Sequence, residues 1–122
     1  MKILVADDEK DVVEILKKNL TQKGHTVDTA LDGDKALHFI ELNRYDIVFV
    51  DHNMPEVTGL ELIKYIKQNN LGAKTVMITG YPHLTNLAVK DLGADEYLVK
   101  PLKLEDIYNI IEKYKGGDKK NG

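Results

Sequence analysis

The chain has 122 residues, 43% hydrophobic and 30% charged, with a formal net charge of −3 and no cysteine. That is one domain's worth of chain, able to build a core without staples; the missing thiols exclude a disulfide scaffold, a thiolate zinc site and a cysteine nucleophile, and suit a reducing, cytoplasmic setting. No run approaches the roughly 18 apolar residues that span a bilayer, the apolar start stops at Asp7-Asp8, too short for a signal-peptide core, and the dispersed Lys and Arg leave no footprint for direct nucleic-acid binding.

Short apolar runs alternate with segments of helical period. Ile3–Ala6 reads as a first strand and Thr26–Ala30 as a weaker second. Ile47–Val50, Thr75–Ile78 and the shorter Tyr97–Val99 follow. Continuous rather than alternating apolar strands imply burial on both faces, as in a parallel sheet covered by helices. Between them, Val12, Ile15, Leu16 and Leu20 form one helical stripe; Ala36, Leu37 and Ile40 a second; Leu62, Ile63 and Ile66 a third. Leu84, Leu87, Ala88 and Leu92 make a fourth, and Ile107, Ile110, Ile111 and Tyr114 a fifth. Gly24 and Gly93 stand where helix C-caps belong, and Pro101 blocks any helix from starting before it. Five βα units in alternation predict a doubly wound α/β fold over residues 1–115. Residues 116–122 are polar and glycine-rich, and read as a flexible tail or the start of a linker.

The residues that follow the apolar runs carry the chemistry. Asp7 and Asp8 come after the first run, Asp51 after the third, Thr79 after the fourth and Lys100 after the fifth. In open parallel sheets the functional crevice lies outside the carboxyl ends of the strands, so these residues should converge. Carboxylates crowded to about 4 Å at an effective dielectric near 20 repel by roughly 4 kcal/mol per pair, and a cation must offset that. With no cysteine and no clustered histidine, the ion is Mg²⁺ or Mn²⁺. A carboxylate beside such an ion, a lysine and a hydroxyl has the parts for attack on phosphorus, giving an aspartyl phosphate. Taken singly, each residue has a plainer use. Asp7 or Asp8 can cap a helix, Asp51 can open a turn with Asn53, Pro55 and Gly59, and Thr79 and Lys100 can be ordinary loop and surface residues. Jointly they would have to coincide at several strand ends, and the functional reading prevails.

At these positions the chain resembles the receiver domains of two-component response regulators, the chemotaxis-regulator-like family. The resemblance rests on Asp7-Asp8-Glu9, the run Asp51-His52-Asn53-Met54-Pro55-Glu56-Val57-Thr58-Gly59, then Thr79-Gly80, then Lys100-Pro101, and it covers residues 1–115. It implies a flavodoxin-like five-stranded parallel sheet of order 2-1-3-4-5 with five helices. Asp51 would be the phosphoacceptor of a histidine kinase or histidine phosphotransfer protein. Asp7, Asp8, Asp51 and the Asn53 carbonyl would bind the metal, Asp7 mainly through water. Lys100 would pair with Asp51 and then with the phosphoryl group. Thr79 would move to that group and Tyr97 would turn inward, altering the surface of the fourth helix, fifth strand and fifth helix, where an effector or a second copy would dock. The Lys100–Pro101 bond would be cis. Such a protein is a self-phosphorylating acceptor with slow autodephosphorylation, not a turnover enzyme.

The chain departs from the family pattern in places. Gly80 stands where a small residue such as alanine is usual, the stretch from Thr79 to Gly93 is one residue short, and Pro82 delays the fourth helix to about Leu84. His52 after the phosphoacceptor is uncommon and reads as a partly exposed loop histidine. A flavodoxin would need a Ser-, Thr- and Gly-rich phosphate loop where Asp7-Asp8-Glu9 stands. Walker and dinucleotide fingerprints are absent, and a haloacid-dehalogenase-type phosphatase needs its second Asp two residues after the first. A calcium loop beginning at Asp28 matches at Asp32 and Gly33 but lacks the bidentate Glu. His25, His38, His52 and His83 show no ligand pairing. The remaining rival is a non-phosphorylated pseudo-receiver acting as an interaction module. Such modules usually lose one acidic, Thr or Lys position, and all are retained here.

Overall fold

The β-rich runs form strands β1 (Lys2–Ala6), β2 (Thr26–Ala30), β3 (Ile47–Asp51), β4 (Lys74–Thr79) and β5 (Glu96–Val99) in a computed structural model that describes residues 1–82 and 93–121. All strand pairs are parallel, in the order β2-β1-β3-β4-β5. Helices α1 (Lys10–Gln22), α2 (Gly33–Leu42), α3 (Gly59–Gln68) and α4 (Leu104–Asn121) are the four among the described residues. The fourth stripe of the sequence, Leu84 to Leu92, lies outside them, and α4 corresponds to the fifth. The α4 backbone runs through Gly116 and Gly117 to Asn121, where composition alone suggests a frayed tail.

Period-two alternation splits the strand side chains into two cores. Leu4, Ala6, Val48, Val50 and Met77 pack with Ala36, Ile40, Leu62, Ile63 and Ile66 of α2 and α3. Ile3, Val5, Ile47, Phe49, Val76 and Ile78 pack with Val13, Leu16 and Leu20 of α1 and with Ile107, Ile110 and Ile111 of α4. Burial on both faces is why the central strands read as unbroken apolar runs. The register sets Ala6 beside Val50, Asp51 beside Ile78 and Thr79 beside Val99, so the strands end at one level. The stripe of α1 is rotated from the expected one. Val13 joins Leu16 and Leu20 in the core, Val12 packs partly buried against it, and Ile15 is 53% exposed. At about 100° per residue, 13, 16 and 20 share one face, and Ile15 falls off it.

Local signals fix the helix ends. Asp32 accepts a hydrogen bond from the Lys35 amide at the start of α2. Thr58 accepts from the Glu61 amide while its hydroxyl donates to Glu61 Oε1, which is the Thr-x-x-Glu pattern at the head of α3. Gly24 ends α1 with φ 92°, a conformation that glycine adopts without a Cβ penalty.

Asp95 ties three elements together. Its Oδ2 accepts from the Thr75 amide at 2.8 Å, from the Thr75 hydroxyl at 3.2 Å and from Lys67 Nζ at 2.9 Å. Burial alone would push its carboxyl up, but the Thr75 amide and then Lys67 outweigh it and hold the group below the usual carboxylate value. The folded pKa therefore lies below the unfolded one. The stabilisation is full above the unfolded value of about 3.9 and is lost as pH falls through the depressed folded value. Asp95→Ala should cost about 1–3 kcal/mol at pH 7, chiefly by orphaning the buried Thr75 polar groups. Urea unfolding should show this deficit shrinking below about pH 4; an equal deficit at pH 3 and pH 7 would contradict it.

Candidate functional site

The aligned strand ends bring distant residues together. Asp7 follows β1, is fully buried, and continues the pairing of β1 with β2 through its amide to the Ala30 carbonyl at 3.1 Å. Asp51 ends β3 at 5% exposure, and Thr79 ends β4 at 1%. Lys100 directly follows β5, donates its amide to the Thr79 carbonyl at 2.9 Å and precedes a cis bond to Pro101. Asp8 lies on the exposed side of Asp7.

One ammonium holds the site. Lys100 Nζ lies 3.1 Å from Asp7 Oδ2, 3.2 Å from Asp51 Oδ2 and 3.2 Å from Glu9 Oε1. Burial disfavours its charge, yet the hydrogen bonds to Asp7 and Glu9 and the charges of Asp51 and Asp7 hold its pKa above the ordinary lysine value. Asp51 is pushed up to about 6. Burial is the main cause, opposed by the Asn53 amide on Oδ1 at 3.2 Å, reinforced by the charge of Asp7 and opposed again by Lys100.

The acidic groups fit a hard divalent cation. Asp7, Asp8 and Asp51 each offer a carboxylate oxygen, and these oxygens all lie within 4.8 Å of one another. Asp7 Oδ1 is taken by the Glu9 amide at 2.9 Å and by Lys100 Nζ at 3.3 Å. Its buried Oδ2 has the lysine's charge at 3.1 Å, but no donor is aimed at it with hydrogen-bond geometry. A buried oxygen with spare acceptor capacity, in an all-oxygen set, is what Mg²⁺ or Mn²⁺ accepts as ligand.

The surrounding loops hold these groups in place. His52 continues the pairing of β3 with β4 through its amide to the Ile78 carbonyl at 2.7 Å, and its ring meets Tyr81 edge-on at 6.4 Å. Thr79 Oγ1 accepts from the Tyr81 amide at 3.0 Å. Gly59, the first residue of α3, lies so close to β3 that a Cβ there would sit 2.3 Å from the Asp51 carbonyl oxygen. Of the residues singled out from the sequence, Asp7, Asp8, Asp51 and Lys100 converge directly. Asn53 contributes its amide, Thr79 sits at the neighbouring strand end, and Tyr97 stands on β5 with its side chain 45% exposed. In the sequence Glu9 stands out only as part of the Asp7-Asp8-Glu9 motif; its grip on Lys100 depends on a distance that no spacing rule gives.

Residues 3–112 match the family model described as the response regulator receiver domain. The chain belongs to that family. The receiver is 34% identical over 111 residues to the transcriptional regulatory protein DltR of Streptococcus agalactiae, covering 88% of this chain and 48% of that protein. It is 35% identical over 107 residues to the alkaline phosphatase synthesis transcriptional regulatory protein PhoP of Bacillus subtilis, covering 87% and 45%. It thus spans about half the length of these relatives. Among solved structures it superposes on the Francisella response regulator 1452 receiver domain with TM-score 0.86 and 28% identity, over 95% of this chain and 98% of that one. The response regulator protein TrrA of Thermotoga maritima, solved in complex with Mg(2+)-BeF, gives TM-score 0.82 and 34% identity over 93% and 97%.

Two glycines of the receiver should respond differently to the same change. Gly59→Ala forces its Cβ against the Asp51 backbone and should cost about 1–3 kcal/mol, as overpacking does. A Cβ on Gly80 would meet nothing within 4 Å among the described residues, so Gly80→Ala should be neutral or stabilising by up to about 1 kcal/mol. Chemical denaturation of both variants checks the pair, and equal losses would contradict the packing described.

Proposed function

We propose that the receiver is a phosphoacceptor switch in a two-component or phosphorelay pathway, with Asp51 as the residue modified to 4-aspartylphosphate. The observation that carries this reading is the convergence of Lys100 Nζ and the carboxylates of Asp7, Asp8 and Asp51 at one edge of the sheet. The donor is phosphohistidine on a histidine kinase or histidine phosphotransfer protein. An Asp51 oxygen forms the new P–O bond as the P–N bond breaks, and the departing imidazole keeps the electron pair and takes up a proton. Lys100, paired with the Asp51 carboxylate at rest, goes on to pair with a phosphoryl oxygen, and the Thr79 hydroxyl hydrogen-bonds another. Asp7, Asp8, Asp51 and the Asn53 carbonyl are the ligands proposed for Mg²⁺, for which Mn²⁺ can substitute. When bound, the ion supplies positive charge that lets the phosphoryl oxygens approach an acidic pocket.

The response is a population shift in a cytoplasmic signalling domain of residues 1–115, followed by a polar segment at 116–122. As Thr79 leaves the Tyr81 amide, Tyr97 turns from its exposed position into the space behind. This reshapes the face of β5 and α4 for an effector or a second copy. Slow autodephosphorylation resets it. The names of relatives such as the transcriptional regulatory proteins above support a role in gene control, in which another module would make any DNA contact.

Acetyl phosphate with Mg²⁺ should give one hydroxylamine-sensitive phosphate per chain, lost in Asp51→Asn and lost on EDTA treatment of the wild type. Undiminished labelling of the variant would refute the assignment, and no labelling of wild type would favour a pseudo-receiver. By NMR, beryllofluoride should shift the Tyr97 amide strongly in wild type and weakly in Thr79→Ala. Equal shifts would mean that Thr79 does not couple the site to β5.

A further inference from the structure

Glu9 stands at the N-cap of α1, where Ser, Thr, Asp or Asn would cap best, yet its side chain makes no capping hydrogen bond. Its amide donates to Asp7 Oδ1 at 2.9 Å, and its carboxylate accepts from Lys100 Nζ at 3.2 Å. One residue thus touches the buried aspartate with its backbone and the lysine with its side chain. An ammonium has three N–H donors, and Lys100 has an acidic partner for each in Asp7, Glu9 and Asp51.

Of these partners Glu9 differs from the other two. Asp7 and Asp51 are buried and belong to the group of oxygens able to converge on an ion, whereas the Glu9 side chain is 58% exposed and lies outside that group. A new anion at Asp51 can gain Lys100 only by displacing one of the three partners, and the exposed one is cheapest to release because water replaces its lost contact. We propose that Glu9 is a positioning residue that holds Lys100 back from the incoming phosphoryl group and yields it when that group binds, so setting the threshold for phosphorylation. This rests on the phosphoacceptor reading above.

The test uses the whole chain with Mg²⁺ and acetyl phosphate. Glu9→Gln should lower the apparent KM for the donor by about two- to fivefold, the range of an exposed ion pair, with the maximal rate unchanged. It should also move the Lys100 side-chain NMR resonances before any donor is added. Asp11→Asn serves as the control, since it removes one exposed negative charge from the same helical turn. It should change neither quantity. A KM unaltered by Glu9→Gln while wild type is phosphorylated would overturn the proposal alone. A KM drop reproduced by Asp11→Asn would replace it with general charge repulsion. Wild type that takes up no phosphate would remove the phosphoacceptor reading and this proposal with it.

Discussion

The receiver depends on a charge balance at the carboxyl edge of its sheet. Acidic side chains from β1 and β3 are drawn to one place by strand pairing, and the lysine after β5 is the cation that lets them stay. Without it, Asp7 and Asp51 would be buried carboxylates facing each other, and burial would force at least one to take up a proton. Three chain segments, separated by some 40 residues or more, are therefore fixed relative to one another by one ammonium. The backbone bond from the Lys100 amide to the Thr79 carbonyl aims the lysine stem, so the balance is built from the sheet outward.

Much of this was legible in the sequence because parallel sheets obey a simple rule. Side chains just after the strands meet, so Asp7, Asp51, Thr79 and Lys100 could be brought together from strand positions alone. The two-faced core followed from unbroken apolar runs, whereas the order of the strands came only with the family resemblance. What remained hidden depended on angles and ångströms. Placing Val13 in the core of α1 and Ile15 outside it requires knowing where that helix begins, to within one residue, and its cap gives no clear side-chain signal. The need for glycine at position 59 comes from how closely α3 approaches β3, which no local preference encodes. The resting partner of Thr79 is a backbone amide, and backbone amides look alike in any sequence.

The same geometry explains why the site combines firm and yielding parts. Asp7 and Asp51 lie against strand backbone and have little freedom. Glu9 and Asp8 lie on the exposed side, and the pair between Glu9 and Lys100 can be given up at small cost. Under the phosphoacceptor proposal this suits Asp51 to accept a group whose charge changes as it arrives, because its oxygen would stay put while the neighbouring charges rearrange.

The sheet also divides the protein into two separate interiors. Among the described residues, the side chains beneath α2 and α3 and those beneath α1 and α4 form sets that share no member. A change of packing volume on one side is therefore not passed by contact to the other, and must travel through the strand backbones to be felt. Substitutions that retailor the outer surface of α1 or α4 can accumulate without disturbing the opposite layer. Lineages built on this scaffold can thus drift toward new recognition properties one layer at a time, keeping the shared acidic edge intact.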